Sequence, residues 1–146
     1  MLCGIFLSFN LVACVISVCV KEFPIYTRRV QFADTDLAGI VHFSKILCYV
    51  EEAEHFVMQE LSVPAADGSG GFPKVHVDCD YRSPLRFGDD AEIQMQLEKV
   101  GERSLTWRFT VRLAELISAE GTFVTVYVSK LGKSETIPSG YRAVLA

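Results

Sequence analysis

The sequence predicts an α+β domain in which an antiparallel sheet of about five strands wraps around one long helix. Between residues 44 and 61 the apolar residues Ile46, Tyr49, Val50, Ala53, Phe56, Val57 and Leu61 recur every three or four positions, the stripe of one buried helical face. Almost everything downstream alternates apolar and polar residues with period two, as strands with one dry face do. The chain has 146 residues, enough for one domain with a real core and no need of a second. A helical stripe and several dry strand faces each require a partner, and here they can only cover one another.

Residues 1–20 contain no charged side chain, and as a helix they would be roughly 30 Å long, enough to cross a bilayer. They fit three descriptions. A cleaved secretory signal lacks its usual basic start here, although Leu11-Val12-Ala13-Cys14 loosely resembles a lipoprotein cleavage box. A signal anchor, followed by Lys21, Arg28 and Arg29, would hold the rest of the chain in the cytoplasm. A mis-assigned start upstream of the true one is the third. The expected division is therefore an apolar segment over residues 1–21 and a domain over residues 22–146, with membrane contact expected only through residues 1–20.

Within that domain, residues 23–33 alternate Tyr26, Arg28, Val30 and Phe32 with Ile25, Thr27, Arg29 and Gln31, a first strand. An acidic loop and the helix follow. Residues 64–71 are rich in Pro, Gly, Ala and Ser and are expected to form a mobile linker or lid. Asp67-Gly68-Ser69-Gly70-Gly71 lacks the Lys-Ser/Thr ending of a phosphate cradle. Val75, Val77, Cys79 and Tyr81 define the dry face of a second strand that Pro84 ends. Ala91, Ile93, Met95 and Leu97 define a third, and Leu105, Trp107, Phe109, Val111 and Leu113 a fourth beyond the Gly101-Glu102 turn. After a break expected at residues 118–121, residues 123–130 place Val124, Val126 and Val128 on one face and Thr125, Tyr127 and Ser129 on the other. Four consecutive strands predict a meander.

A formal charge of −4 argues against nucleic-acid binding, which needs a basic surface. Five cysteines without a C-x-x-C pair suggest neither a disulfide scaffold nor a zinc ribbon, and fit a reducing compartment. Cys48 and Cys79 read as small hydrophobes rather than nucleophiles. His42, His55 and His76 fall in no H-x-H or H-E-x-x-H spacing, so no metal is expected, and no G-x-S-x-G elbow is present.

The junction of loop and helix carries the chemistry. A helix start presents unpaired N–H groups and a partial positive charge, which favour negative charge on a ligand or transition state. Asp36 lies just upstream of it, where a carboxylate could serve as nucleophile or general base in acyl transfer. On these residues alone, Asp34 and Asp36 as turn formers beside Gly39 is the simpler account.

Asp34-Thr35-Asp36-Leu37-Ala38-Gly39-Ile40-Val41-His42-Phe43, ahead of a helix carrying Tyr49 and Glu51-Glu52-Ala53, resembles the signature of hot-dog-fold acyl-CoA thioesterases of the 4-hydroxybenzoyl-CoA thioesterase type. Phe72-Pro73 and Tyr81-Arg82-Ser83-Pro84-Leu85-Arg86-Phe87-Gly88-Asp89 are similar to that family's second strand and the turn after it. The resemblance covers most of residues 22–137. It implies an acyl-CoA substrate, no cofactor and a homodimer or homotetramer. It makes Asp36 the catalytic carboxylate, acting as nucleophile or as base to water. Phe43 would polarise the thioester carbonyl through its backbone N–H, with Gly39 allowing the tight turn above it and His42 beside it as a candidate contact. Arg103 and Ser104 stand where the family contacts the nucleotide of coenzyme A, although fewer basic residues precede them here. Glu51 and Glu52 are reserve carboxylates, since some hot-dog thioesterases place theirs on the helix. A non-catalytic acyl-CoA or acyl-carrier binding protein of the same fold is the alternative, with a dehydratase a further rival. The acyl group is left open.

Overall fold

The computed structural model describes residues 21–146. In chain order the elements are β1 (Lys21–Glu22), β2 (Tyr26–Arg29), a 3-10 turn (Phe32–Asp34), α1 (Phe43–Glu60), β3 (Gly70–Gly71), β4 (Lys74–Tyr81), β5 (Asp90–Val100), β6 (Ser104–Leu113), β7 (Leu116–Val126), β8 (Val128–Ser129) and α2 (Ser139–Leu145). β1 and β2 run one after the other along β5, from Lys21 opposite Leu97 to Arg29 opposite Asp90. The main sheet thus has five strand positions in the order β1/β2, β5, β6, β7, β4, and every pairing is antiparallel. The expected α+β architecture, a five-position sheet around one long helix, is what forms.

Helix α1 lies on the concave face, chiefly over β5. Its buried residues are Ile46, Tyr49, Val50, Ala53, Glu54, Val57 and Met58, nearly the apolar stripe of the sequence. They meet Ala91, Ile93, Met95 and Leu97 from β5 and Leu105, Trp107, Phe109 and Val111 from β6, all buried. Trp107 stacks on Phe123 at 6.1 Å. Each such large apolar side chain contributes about 2 kcal/mol on burial, and together they seat the helix.

Several expectations are corrected. The four strands are not a simple meander: β4 pairs with β7 at the far edge, three strand positions from β5. That gap is about 14 Å, which the eight residues 82–89 span easily. The first strand ends at Arg29, because the chain turns at Phe32–Asp34 and leaves Phe32 exposed. Residues 118–121 form no break; β7 runs straight through them and the turn lies at Ala114, which has a positive φ. Gly121 reflects close approach instead, since a Cβ there would collide with the Asp78 carbonyl and the Phe109 ring. Phe123, Thr125 and Tyr127 face the core, whereas Val124, Val126 and Val128 are only half-buried, because Phe123 pairs with Trp107 and so shares its face.

Residues 64–71 are held rather than free. Gly70 and Gly71 pair with Ser129 and Val128, and Asp67 accepts the N–H groups of Ser69 and Gly70 and the Tyr141 hydroxyl. Helix α2 was not anticipated: at seven residues it is too short to print a period, and Leu145 buries one side chain. No helix among the described residues is long and apolar enough to cross a membrane. The expectations for residues 1–20 lie outside the described residues.

Candidate active site

The loop before α1 is closed at its base and turns through a left-handed glycine at its tip. Thr35 bridges Val41, the Asp36 N–H donates to the Ile40 carbonyl at 2.9 Å, and the Gly39 N–H donates to the Asp36 carbonyl at 3.0 Å. Gly39 takes φ +72° with open space around its Cα, so backbone conformation rather than crowding explains the glycine. The Ala38 N–H donates to Asp36 Oδ1 at 2.8 Å, which fixes that oxygen in an Asx turn. Oδ2 has no hydrogen-bond partner among the described residues.

Helix α1 opens directly behind this loop. His42 is its N-cap: Nδ1 lies 2.8 Å from Ser44 Oγ and accepts the Ser44 N–H at a long 3.4 Å. Its ring packs against that of Phe43, tilted by 36° with the centroids 4.4 Å apart. Helix geometry leaves the Phe43 N–H without an intrahelical acceptor. The Phe43 carbonyl accepts the Tyr81 hydroxyl at 3.2 Å, tying the first turn to the end of β4. Burial and the contact with Cys79 push the Tyr81 phenol up to about 12, so it remains a donor at neutral pH.

These groups border one cavity of about 390 Å³, lined mainly by apolar side chains that include Ile40, Val41, Ile46 and Leu85. Asp36 and Phe43 both line it, as do Tyr81, Arg82 and Ser118. An exposed carboxylate, a helix start with a free N–H and an apolar cleft can bind an acyl group, polarise its carbonyl and attack it.

The remaining candidates lie elsewhere. Gly39 and His42 shape the loop and the cap without lining the cavity. Glu51 pairs with Lys74 at 3.3 Å and Glu52 with Arg28 at 3.1 Å, and neither borders the cleft. Ser104 opens β6 at the other end of the sheet, and Arg103 immediately precedes it. Ser104 is opposite Val126 and Tyr81 is opposite Ala119, so roughly 23 Å of β7 separates the two places.

Three contributors escaped the sequence reading. Asp34 is no exposed turn residue: it is buried, and Oδ2 accepts the Tyr49 hydroxyl at 2.8 Å and the Gln31 N–H at 3.0 Å. Burial alone would raise its carboxyl, but those bonds and the nearby Arg28 and Lys45 hold it below the ordinary value. Its carbonyl accepts the His42 N–H, so Asp34 anchors both ends of the acidic loop. Glu54, in the same turn of the helix as Glu51 and Glu52, is also buried, 2.5 Å from Lys74 of β4. Ser118 is the third. Val111 pairs with Ala119 but Arg112 with Ile117, so Ser118 is the extra residue of a β-bulge. Both Ser118 and Ala119 are consequently buried, although neighbours in a regular strand face opposite ways. No sequence signal separates this serine from a turn residue.

The fold is that of the hot-dog thioesterases. The chain belongs to the thioesterase superfamily, whose family model matches residues 38–119, and it is a thioester hydrolase. A 1,4-dihydroxy-2-naphthoyl-CoA hydrolase of Nostoc punctiforme is 30% identical over 114 residues, covering 75% of this chain and 77% of the relative. Among solved structures, a protein of Aquifex aeolicus superposes with a TM-score of 0.79 at 30% identity, covering 84% of this chain and 98% of its own. A gentisyl-coenzyme A thioesterase superposes with a TM-score of 0.76 at 30% identity, covering 82% and 99%.

Proposed function

We propose that this protein is an acyl-CoA thioesterase of the 4-hydroxybenzoyl-CoA type, releasing a free acid and coenzyme A, and that residues 22–146 are its catalytic domain. The observation that carries this is the cleft in which Asp36 and the start of α1 meet over an apolar floor. The thioester carbonyl oxygen takes the Phe43 N–H, and the charge that develops there is favoured by the helix start. The carboxylate of Asp36 then follows one of two routes. It attacks the carbonyl carbon, the C–S bond breaks, the thiolate leaves and takes a proton from solvent, and water hydrolyses the resulting anhydride. Alternatively it takes a proton from a water molecule whose oxygen attacks the same carbon, after which the C–S bond breaks and the leaving thiolate is protonated. The reaction consumes one water by either route and needs no cofactor. Its setting is the cytoplasm, where coenzyme A is.

The working unit is a homo-oligomer built on a dimer. β4 is an edge of the sheet among the described residues, and its Val75, Val77 and Tyr81 are 61%, 40% and 49% exposed, because α1 packs chiefly over β5 and meets β4 through Lys74 and the Tyr81 hydroxyl. Antiparallel pairing of β4 with a second copy would cover these side chains and satisfy the free edge. A two-fold axis through that pairing reverses the sheet ends, so the second copy's residues 103–104 come to the cavity's end. Arg103 and Ser104 then hold the coenzyme A phosphates across the dimer.

Asp36→Asn keeps the side chain's size and removes its basic or nucleophilic oxygen. Turnover of a good acyl-CoA substrate should fall by at least about 10²-fold, while Glu51→Gln and Glu52→Gln should change it little. Free-thiol release by the three folded variants decides the matter. Near-normal turnover by Asp36→Asn, with loss in either glutamate variant, would move the chemistry to the helix.

A further inference from the structure

We infer that Ser118 reads the acyl group: its hydroxyl hydrogen-bonds an oxygen substituent, hydroxyl or carbonyl, on the part of the substrate that fills the cleft. This rests on taking that cleft as the acyl site, and it adds a specificity residue remote from the reacting carbonyl. Ser118 is 2% exposed and lines the cavity, and its Oγ has no hydrogen-bond partner among the described residues. Its backbone is already committed, because the Ser118 carbonyl accepts the N–H groups of Arg82 at 2.8 Å and Ser83 at 3.2 Å. These two bonds fix the bulge, and the bulge turns the hydroxyl inward.

An apolar pocket needs no hydroxyl, and a regular strand would have placed Ser118 on the outer face. A buried serine oxygen can both donate and accept, so it satisfies either a hydroxyl or a carbonyl on the ligand. Of the other side chains lining the cavity, Ile40, Val41, Ile46 and Leu85 offer only apolar contact, while Tyr81 is engaged with the Phe43 carbonyl and Arg82 with Asp80 and Glu120. Such a pocket distinguishes poorly between apolar acyl groups that differ by a methylene. A buried group waiting for a partner distinguishes far better, because the wrong ligand leaves it unpaired.

The test uses matched thioesters: benzoyl-CoA beside its 2-, 3- and 4-hydroxy isomers, and butanoyl-CoA beside 3-hydroxybutanoyl-CoA and 3-oxobutanoyl-CoA. The full chain should favour one oxygenated member over its plain counterpart by about 10-fold or more in kcat/KM. Ser118→Ala should bring that ratio close to one, and Ser118→Cys, with a similar shape but a weaker donor, should give an intermediate ratio. Equal effects of Ser118→Ala on both members of every pair would mark a structural role and overturn the assignment. So would a parent enzyme without preference in any pair. Whether any thioester is cleaved at all reports separately on the cleft as a thioesterase site, since the proposal is read from ratios.

Discussion

At the scale of single residues, the two aspartates of the acidic loop divide into an exposed one and a buried one. Asp36, at the tip, is exposed and free on one oxygen, as a reacting group must be. Asp34, two residues earlier, is the buried anchor whose carboxylate gathers Tyr49, Gln31, Arg28 and Lys45. Because its folded carboxyl is held below the unfolded value of about 3.9, its stabilisation is complete above that pH and is lost as pH falls through the folded value. Asp34→Asn should therefore cost about 1–3 kcal/mol at pH 7 and little at pH 2. Thermal melts at the two pH values check this, and equal losses at both would contradict it. The loop motif was legible because its chemistry is local. Asp34's role was not, because it depends on Tyr49 fifteen residues away along the chain.

At the scale of elements, period was a dependable guide in α1, β5 and β6 but not in β4, whose expected dry face leaves Val75, Val77 and Tyr81 exposed. The stripe of α1 and the alternation of β5 and β6 reappear almost residue for residue in the core, since a buried face needs apolar groups at fixed spacing. β7 misled because its core face includes Thr125 and Tyr127 while valines occupy the other, and hydropathy alone cannot tell which side is packed. The seam between α1 and β4 was also hidden: Glu54 of the helix and Lys74 of the strand become neighbours only once the sheet curls. Burial raises the Glu54 carboxyl, and Lys74 only partly offsets this. A raised carboxyl weakens the fold as pH rises through its folded value, so losing Lys74 should hurt most at high pH. Lys74→Met should cost about 3 kcal/mol at pH 8 and less at pH 5, with Lys74→Met/Glu54→Leu regaining most of the loss. Urea denaturation of the three proteins at both pH values measures it; a single variant as stable as the parent would show that the pair is dispensable.

At the scale of the whole molecule, the sheet order was the least legible feature. Strand pairing is a long-range property, and nothing in residues 74–100 announces that β4 and β5 will lie at different places in the sheet. The same order leaves β4 as an open edge beside the cavity and sends Arg103 and Ser104 to the opposite end. If each site draws its carboxylate from one chain and its phosphate contact from another, the two functions can be supplied by different molecules. Asp36→Asn and Arg103→Ala should each be poor enzymes at low substrate. Unfolded together and refolded as a mixture, they should form hybrids in which one of the two sites inherits both intact residues and the other inherits neither. Activity should then rise above that of either parent, to roughly a quarter of the unmutated enzyme for random pairing. A mixture no better than the mean of its parents would mean that every site is complete within one chain. Recovery would make the smallest catalytic unit of this enzyme a pair, with each chain lending its partner the half of a site that it cannot use itself.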